Sequence, residues 1–486
     1  MRVIYSIFDT LIRRDFVNPQ AGGGEKLVPH LAQSWKRVDP RTLEVVLRRG
    51  VKFHNGDELT AEDVMFTFSA ERLWGPKSAV VEGRAYFGHL EKVEKIDDYA
   101  VRFVTKEPDL VFESRLATYT SWIVNARSWL QHKEAIERQN AALPEDRRRP
   151  WMEGAIRLVK WNPIGTGPYK FRGWKNNEFI ALDANENYFM GAPAARSITF
   201  KEVPEIATRI AGLVSGEFQM ITDVPPDQIA LLGRYPDIKV TQAPLENSHV
   251  LVFNTADPLL KDKRIRQALS LAIDRAALNK ALWEGHAQIP PGHQLPSFGE
   301  MFLKDRPGYR FDPARARALL AEAGYKGERI GYRIIPNYYQ RGGEAAQIML
   351  EMWKAVGLNV EMETVENFTQ VRAKGLQIHP WSNTYRLPDP SGALLVNWGP
   401  NALIQTRFKH FEPPPAFNEA AKALIGGATM ADRRKAFSTL LDIFEDEMPM
   451  TTLYNPIAIF AMRNNITWSP YPIHYMDFRP DVFRVG

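Results

Sequence analysis

Catalysis needs titratable or nucleophilic groups brought together, so the histidines are the first residues to weigh. The ten are His30, His54, His89, His132, His249, His286, His293, His379, His410 and His474. No two stand three or four residues apart, the spacing that puts two metal ligands on one helix face. Each is read as a surface or packing residue, and no metal or other cofactor is expected. There is no Gly-x-Ser-x-Gly elbow, no phosphate-loop lysine and no dinucleotide fingerprint after a strand. Cysteine is absent, which removes disulfides, thiolate catalysis, iron–sulfur clusters and cysteine-bound zinc together. Gly165-Thr166-Gly167 could suggest a phosphate cradle, but a strand follows it rather than a helix N-terminus, and no Lys-Ser/Thr pair closes it. Missing motifs lower the case for an enzyme without excluding one built from dispersed residues.

The bulk numbers bound the class of protein. At 486 residues the chain is too long for one simple core. Its charged fraction of 24% and hydrophobic fraction of 44% are those of an ordinary globular protein. A net charge of +5 is small for this length and forms no long stripe, so nucleic acid is not an expected partner. The densest basic run, Arg147-Arg148-Arg149, stands beside Glu145 and Asp146 and reads as a solvated turn. No apolar run approaches the roughly 18 residues a membrane span needs. Met1-Arg2 leads into Val3-Ile4-Tyr5-Ser6-Ile7-Phe8 with no signal-peptide pattern, which by itself points to the cytosol.

The elements that must position any site are of mixed α/β type. Leu43-Glu44-Val45-Val46-Leu47 alternates as a strand. Thr60 and Asp63 have capping-box spacing ahead of a helix carrying Val64, Phe66 and Phe68. The polar stretch 128–156 reads as a helical excursion on a surface subdomain. Strand 198–203, helix 207–214 and strand 218–222 read as a β–α–β unit of a doubly wound sheet. Val250-Leu251-Val252-Phe253 is a buried strand, and Asp262 can cap the helix that follows. Pro313 and Gly324 sit where a helix start and stop want them. Further helices are expected over 345–356 and 432–446, with apolar strands over 452–462.

Several of these segments carry a family likeness. Leu27-Val28-Pro29-His30-Leu31-Ala32-Gln33-Ser34-Trp35 is followed by Leu47-Arg48-Arg49-Gly50-Val51-Lys52-Phe53-His54-Asn55-Gly56 and by Leu59-Thr60-Ala61-Glu62-Asp63-Val64. Gly165-Thr166-Gly167-Pro168-Tyr169, Asn254-Thr255, Arg264-Ile265-Arg266-Gln267-Ala268-Leu269, Ala272-Ile273-Asp274-Arg275, Ala323-Gly324-Tyr325 and Val356-Gly357-Leu358 continue it in order. Together they resemble the dipeptide-, oligopeptide-, nickel- and opine-binding receptors of ABC importers (family 5, cluster C). The resemblance implies an α/β, two-lobed periplasmic-binding-protein fold of type II with an extra subdomain in the first lobe. It implies a first lobe over 1–249, a second over 250–455 and a return to the first over 456–486. It further implies a monomer without enzymatic activity that captures a small solute between its lobes, closes on it, and delivers it to an inner-membrane permease. Members usually begin with a signal or lipoprotein peptide and a first strand before the segment matching Val3 to Leu11. An extracytoplasmic location is therefore expected, from a chain trimmed or started late.

The same resemblance points to ligand residues. Peptide-binding members present an aspartate three residues before an Asp-Pro pair, and it receives the peptide's ammonium group. The matching segment here runs Trp381-Ser382-Asn383-Thr384-Tyr385-Arg386-Leu387-Pro388-Asp389-Pro390, so that place is held by Arg386. A guanidinium repels an ammonium and grips a carboxylate or phosphate. The expected ligand is anionic: opine-like, a sugar phosphate or another organic-acid conjugate. The plainer alternative is that Arg386 pairs with Asp389 or Glu366 and only shapes the loop. A second loop, Pro336-Asn337-Tyr338-Tyr339-Gln340-Arg341, follows the strand carrying Arg333, where peptide binders often place an arginine for the ligand carboxylate. Asn337, Tyr338 and Tyr339 suit a hydroxylated ligand, and Arg341 can fill the arginine's role. Trp381, Asn383, Tyr385, Asp389 and Trp398 complete the candidates. An oligopeptide or dipeptide receptor of the same family, a hydrolase with dispersed residues, and a chaperone or signalling receptor on the same fold are the competing readings.

Overall fold

The structure, a computed structural model, describes residues 2–18, 24–336 and 338–486. It divides into two compact units, Met1–Ile221 with Leu232–Thr241 and Ala461–Gly486, and Thr222–Leu231 with Gln242–Phe460.

In unit 1, strands β1 (Ala32–Asp39), β2 (Thr42–Leu47), β3 (Leu90–Asp97) and β4 (Ala100–Thr105) form an antiparallel sheet in the order β1-β2-β4-β3. Leu43, Val45, Leu47, Val101 and Phe103 alternate onto its buried face, as the period of a half-buried strand demands. Helix α1 (Ala61–Thr67) starts at the expected cap: the Thr60 N–H donates to Asp63 Oδ2 at 3.0 Å. The polar excursion is helical, and its last helix, α2 (Trp151–Val159), buries Trp151, Met152 and Ala155. A second antiparallel sheet consists of β5 (Tyr169–Lys175), β6 (Phe179–Ala184) and β7 (Ser197–Lys201) in sequence order.

The β–α–β expectation fails here. The helix Ile206–Ser215 exists and ends at Gly216 with φ 87°. However, β7 pairs antiparallel with β6, whereas Met220–Ile221 pairs with Ile457–Arg463 in a different sheet. The flanking strands never share a ladder, because each finds its partner elsewhere in the chain.

Unit 2 is built on β8 (Asn247–Phe253), β9 (Ile330–Ile334), β10 (Val360–Thr364), β11 (Ile378–Thr384) and β12 (Met450–Tyr454), ordered β10-β9-β11-β8-β12. β9 runs parallel to β10 and β11, and β8 runs antiparallel to β11 and β12. All of β8 is buried. β8 pairs along its whole length with β11, and the main stretch of unit 2 begins at Gln242. It ends at Phe460, inside the strand Ile457–Arg463, and also claims Thr222–Leu231. Helices α3 (Gly342–Ala355) and α4 (Met430–Glu447) flank the sheet sequence. The core around α4 packs Val250 and Val252 against Trp398, Phe411, Phe417, Phe437 and Phe444. Burying each of these aromatics removes roughly 150–250 Å² from water, which is why this cluster fixes the unit.

Candidate functional site

The register of the unit 2 sheet sets where a ligand can be met. Ile334 lies beside Thr364, Thr384 beside Asn247, and Tyr454 beside His249. The carboxyl ends of β9, β10, β11 and β12 therefore emerge together with the start of β8. In open α/β sheets, ligands collect outside such strand ends. The loops leaving them carry residues 335–341, 365–367 and 385–389.

On the first loop Tyr338 is 56% exposed. Its ring meets Tyr339 and Phe368 edge-on, each at 4.8 Å between centroids. Tyr339 packs against His249 at 4.9 Å, and burial holds its phenol above the ordinary tyrosine range despite a hydrogen bond with Ser382. Arg341 adopts a left-handed backbone, φ 59°, at the start of α3 and donates to Asp227 Oδ2 at 2.9 Å. Its cation is already paired. Asn337 lies outside the described residues.

Arg372 was not singled out by sequence and is a further cation near Tyr338 and Tyr339. Half-buried, its Cζ sits 5.3 Å from the Phe368 ring and 4.4 Å from the Phe408 ring. Among the described residues, no carboxylate or carbonyl accepts from its guanidinium. Arg407 lies over the same Phe408 ring at 5.9 Å. Burial, and then Arg407, pull the Arg372 pKa below its ordinary value. One ring comes from the start of its own short helix, Phe368–Val371, and the other, Phe408, from a distant part of the chain.

The segment after β11 is mostly committed to structure. Arg386 is half-buried there. Asp389 is buried, accepts from Ser391 N at 2.9 Å and from Ser391 Oγ at 2.6 Å, and pairs with buried Arg433 at 2.9 Å. It holds its own turn rather than facing a ligand. Tyr385 is fully buried, with its hydroxyl 3.0 Å from Ser248 Oγ and its ring against Phe298. Asn383 is fully buried and donates to His293 Nε2 at 2.6 Å. Trp398 is fully buried against Phe444 and Phe411. Asn383, Tyr385, Asp389 and Trp398, expected as ligand contacts, thus each have a buried protein partner. Trp381 is half-buried and packs against the same core, 6.5 Å from Trp398. The sequence candidates left half-buried or exposed are Tyr338, Tyr339, Arg341, Trp381 and Arg386, and the structure adds Arg372 and Arg407. The set is aromatic and cationic.

Known proteins agree with this architecture. The sequence profile of the bacterial extracellular solute-binding proteins, family 5 (middle region), matches residues 26–403. The oligopeptide-binding protein AppA of Bacillus subtilis is 26% identical over 474 residues, covering 91% of this chain and 80% of that protein. The periplasmic binding protein DppA of Helicobacter pylori, solved with the peptide STSA, superposes with a TM-score of 0.83 at 21% identity, over 99% of this chain and 93% of that one. AgaA of A. tumefaciens, solved with agropinic acid, superposes at 0.80 and 21% identity over 100% and 94%. The chain belongs to the bacterial extracellular solute-binding proteins of family 5, the solute receptors of ABC importers, and is not an enzyme.

Proposed function

We propose that this receptor captures a small anionic solute, an opine-like or organic-acid conjugate, on the strand-end loops of unit 2 and hands it to an inner-membrane permease. The observation that carries the reading is Arg372. A half-buried guanidinium over the Phe368 and Phe408 rings finds no carboxylate or carbonyl acceptor among the described residues. Leaving such a group unpaired is costly, and a ligand carboxylate or phosphate relieves that cost with charge-assisted, bidentate bonds. Arg407 adds a second positive charge nearby, and exposed Tyr338 offers a ring for a sugar or hydroxylated face. The acid-bound neighbour AgaA supports the reading.

A peptide receptor is the second reading, supported by the oligopeptide-binding relative and the peptide-bound neighbour. A peptide's carboxylate would suit Arg372 equally well. The two readings part at the other end of the ligand, where Arg386 stands in place of an ammonium-receiving carboxylate. Like charges there disfavour a free amino terminus. The receptor is taken to act as an extracytoplasmic monomer with no nucleic-acid partner.

The test is mass spectrometry of the small molecule released by denaturing the purified protein, followed by titration of that molecule. An acidic compound is expected, binding at least tenfold more weakly (about 1.4 kcal/mol) to Arg372→Ala and to Arg386→Ala. A peptide that binds Arg386→Ala as tightly as the unaltered protein would overturn the anionic assignment and leave the peptide reading.

A further inference from the structure

The positive charge of the chain is concentrated. Residues 126–178 hold 11 Lys and Arg against 6 Asp and Glu, a net of +5, equal to the net charge of all 486 residues. This stretch lies wholly in unit 1 and includes α2 and β5. It also carries an aromatic pair turned toward water. Trp161, just past the end of α2, is 53% exposed, and Trp174 on β5 is 39% exposed. Their rings stack at 5.0 Å with planes 29° apart. Leu158 beside them is also exposed.

Stacking covers one face of each indole and leaves the rest of an apolar surface wet, which is costly for a residue type that is usually well buried. The charges around it are cationic. Lys160 lies 5.0 Å from the Trp161 ring centroid, and neither Lys160 nor Arg157 meets a carboxylate among the described residues. Lys175 and Arg172 are paired, with Glu178 and Asp183. Tryptophan beside lysine and arginine is the composition of a membrane–water boundary, where the ring sits among headgroups and the cations meet phosphate. A second copy of the chain is disfavoured, since this face would bring like charge against like charge.

We propose that this face of unit 1 rests on an anionic phospholipid surface, with Trp161 and Trp174 seated among the headgroups and Arg157 and Lys160 on the lipid phosphates. The contact is independent of which solute unit 2 takes, and it would hold the receptor near the membrane where its permease resides.

The experiment is flotation of the full chain with vesicles of phosphatidylcholine alone or of equal parts phosphatidylcholine and phosphatidylglycerol. Flotation is expected with the anionic vesicles only, and should weaken as salt screens the charges. Arg157→Gln with Lys160→Gln, and separately Trp161→Ala with Trp174→Ala, should each lower partitioning roughly tenfold or more. These side chains are exposed, so melting temperatures should not change. Absence of flotation with anionic vesicles would overturn the proposal, as would equal flotation of the variants. A tryptophan-dependent dimer in sedimentation, without lipid binding, would assign the face to a second copy instead.

Discussion

His293 shows what one buried titratable side chain does to stability. It is fully buried, with Asn383 Nδ2 at 2.6 Å from its Nε2. Burial pulls its pKa down to about 4, against an ordinary value near ~6.5. Below that ordinary value the unfolded chain takes up a proton that the folded protein refuses. Stability therefore falls as pH drops through this window, by roughly 2 kcal/mol at pH 5. His54, also drawn down to about 4 by burial, adds to the same slope. The prediction is that His293→Gln narrows the gap between melting temperatures at pH 7.5 and pH 5, even if both are lowered. An unchanged gap would show that His293 does not set the slope. At this scale the sequence reads poorly. Asn383 looks like a ligand contact from its place beside Tyr385 and Arg386, yet its amide serves His293, ninety residues away. Arg372 looks like any surface arginine, and only the Phe368 and Phe408 rings make it distinctive.

Elements are more legible, and the Gly165-Thr166-Gly167-Pro168-Tyr169 turn shows why. The expected strand follows it as β5. The glycines are there for contact with the segment Ile4–Ile7, not for phosphate. The Gly167 N–H donates to Ile7 O at 2.9 Å, and a Cβ on Gly167 would stand 2.5 Å from Ser6 O. At Gly165 it would stand 2.0 Å from Ile7 O. Both obstacles are backbone, which cannot swing aside. Gly167→Ala is predicted to cost about 2–4 kcal/mol, read from the denaturation midpoint. A shift below about 0.5 kcal/mol, the usual range for surface changes, would mean that the turn relaxes freely. Helix starts and stops were legible for the same local reason: Asp262 does cap its helix, accepting from Arg264 N at 2.9 Å, and Gly324 ends one at φ 71°. The partner of β7 was not, because strand pairing is a long-range choice that no local pattern encodes.

Across a whole unit, charges from distant parts of the chain have to balance. In unit 1, Asp9 and Asp477 are fully buried beside Arg13 and Arg479. Asp9 lies 2.7 Å from His30 Nε2 and accepts from Thr166 Oγ at 3.0 Å. Asp477 accepts from Arg479 Nε at 2.8 Å and from the Tyr471 hydroxyl at 2.8 Å, with Arg13 Nη1 at 3.5 Å. Burial raises the Asp477 pKa, but Arg479 and Arg13 outweigh it and hold the carboxyl below its ordinary range. Tyr475 stacks on Tyr5 at 4.7 Å and closes the same cluster with apolar surface. Thus residues near 10, 30, 166 and 477 are joined in one buried network. Asp477→Ala would leave two buried guanidinium groups facing each other and should cost about 3–5 kcal/mol. Urea denaturation followed by circular dichroism would detect that loss, and a midpoint close to the unaltered protein's would refute the network's role.

The amino-acid sequence by itself determined the family, the α/β class, most helix boundaries and the absence of local catalytic motifs. All of these rest on short-range patterns: apolar periodicity, caps, turn residues and motifs read along a few neighbouring positions. Tertiary structure alone decided which strands pair, which candidates are buried and which rings surround Arg372. Those outcomes depend on groups far apart in the chain competing for the same hydrogen bonds and the same buried space. Asp389 illustrates the division: its Asp-Pro neighbourhood is read locally, but its buried pairing with Arg433, 44 residues on, is not.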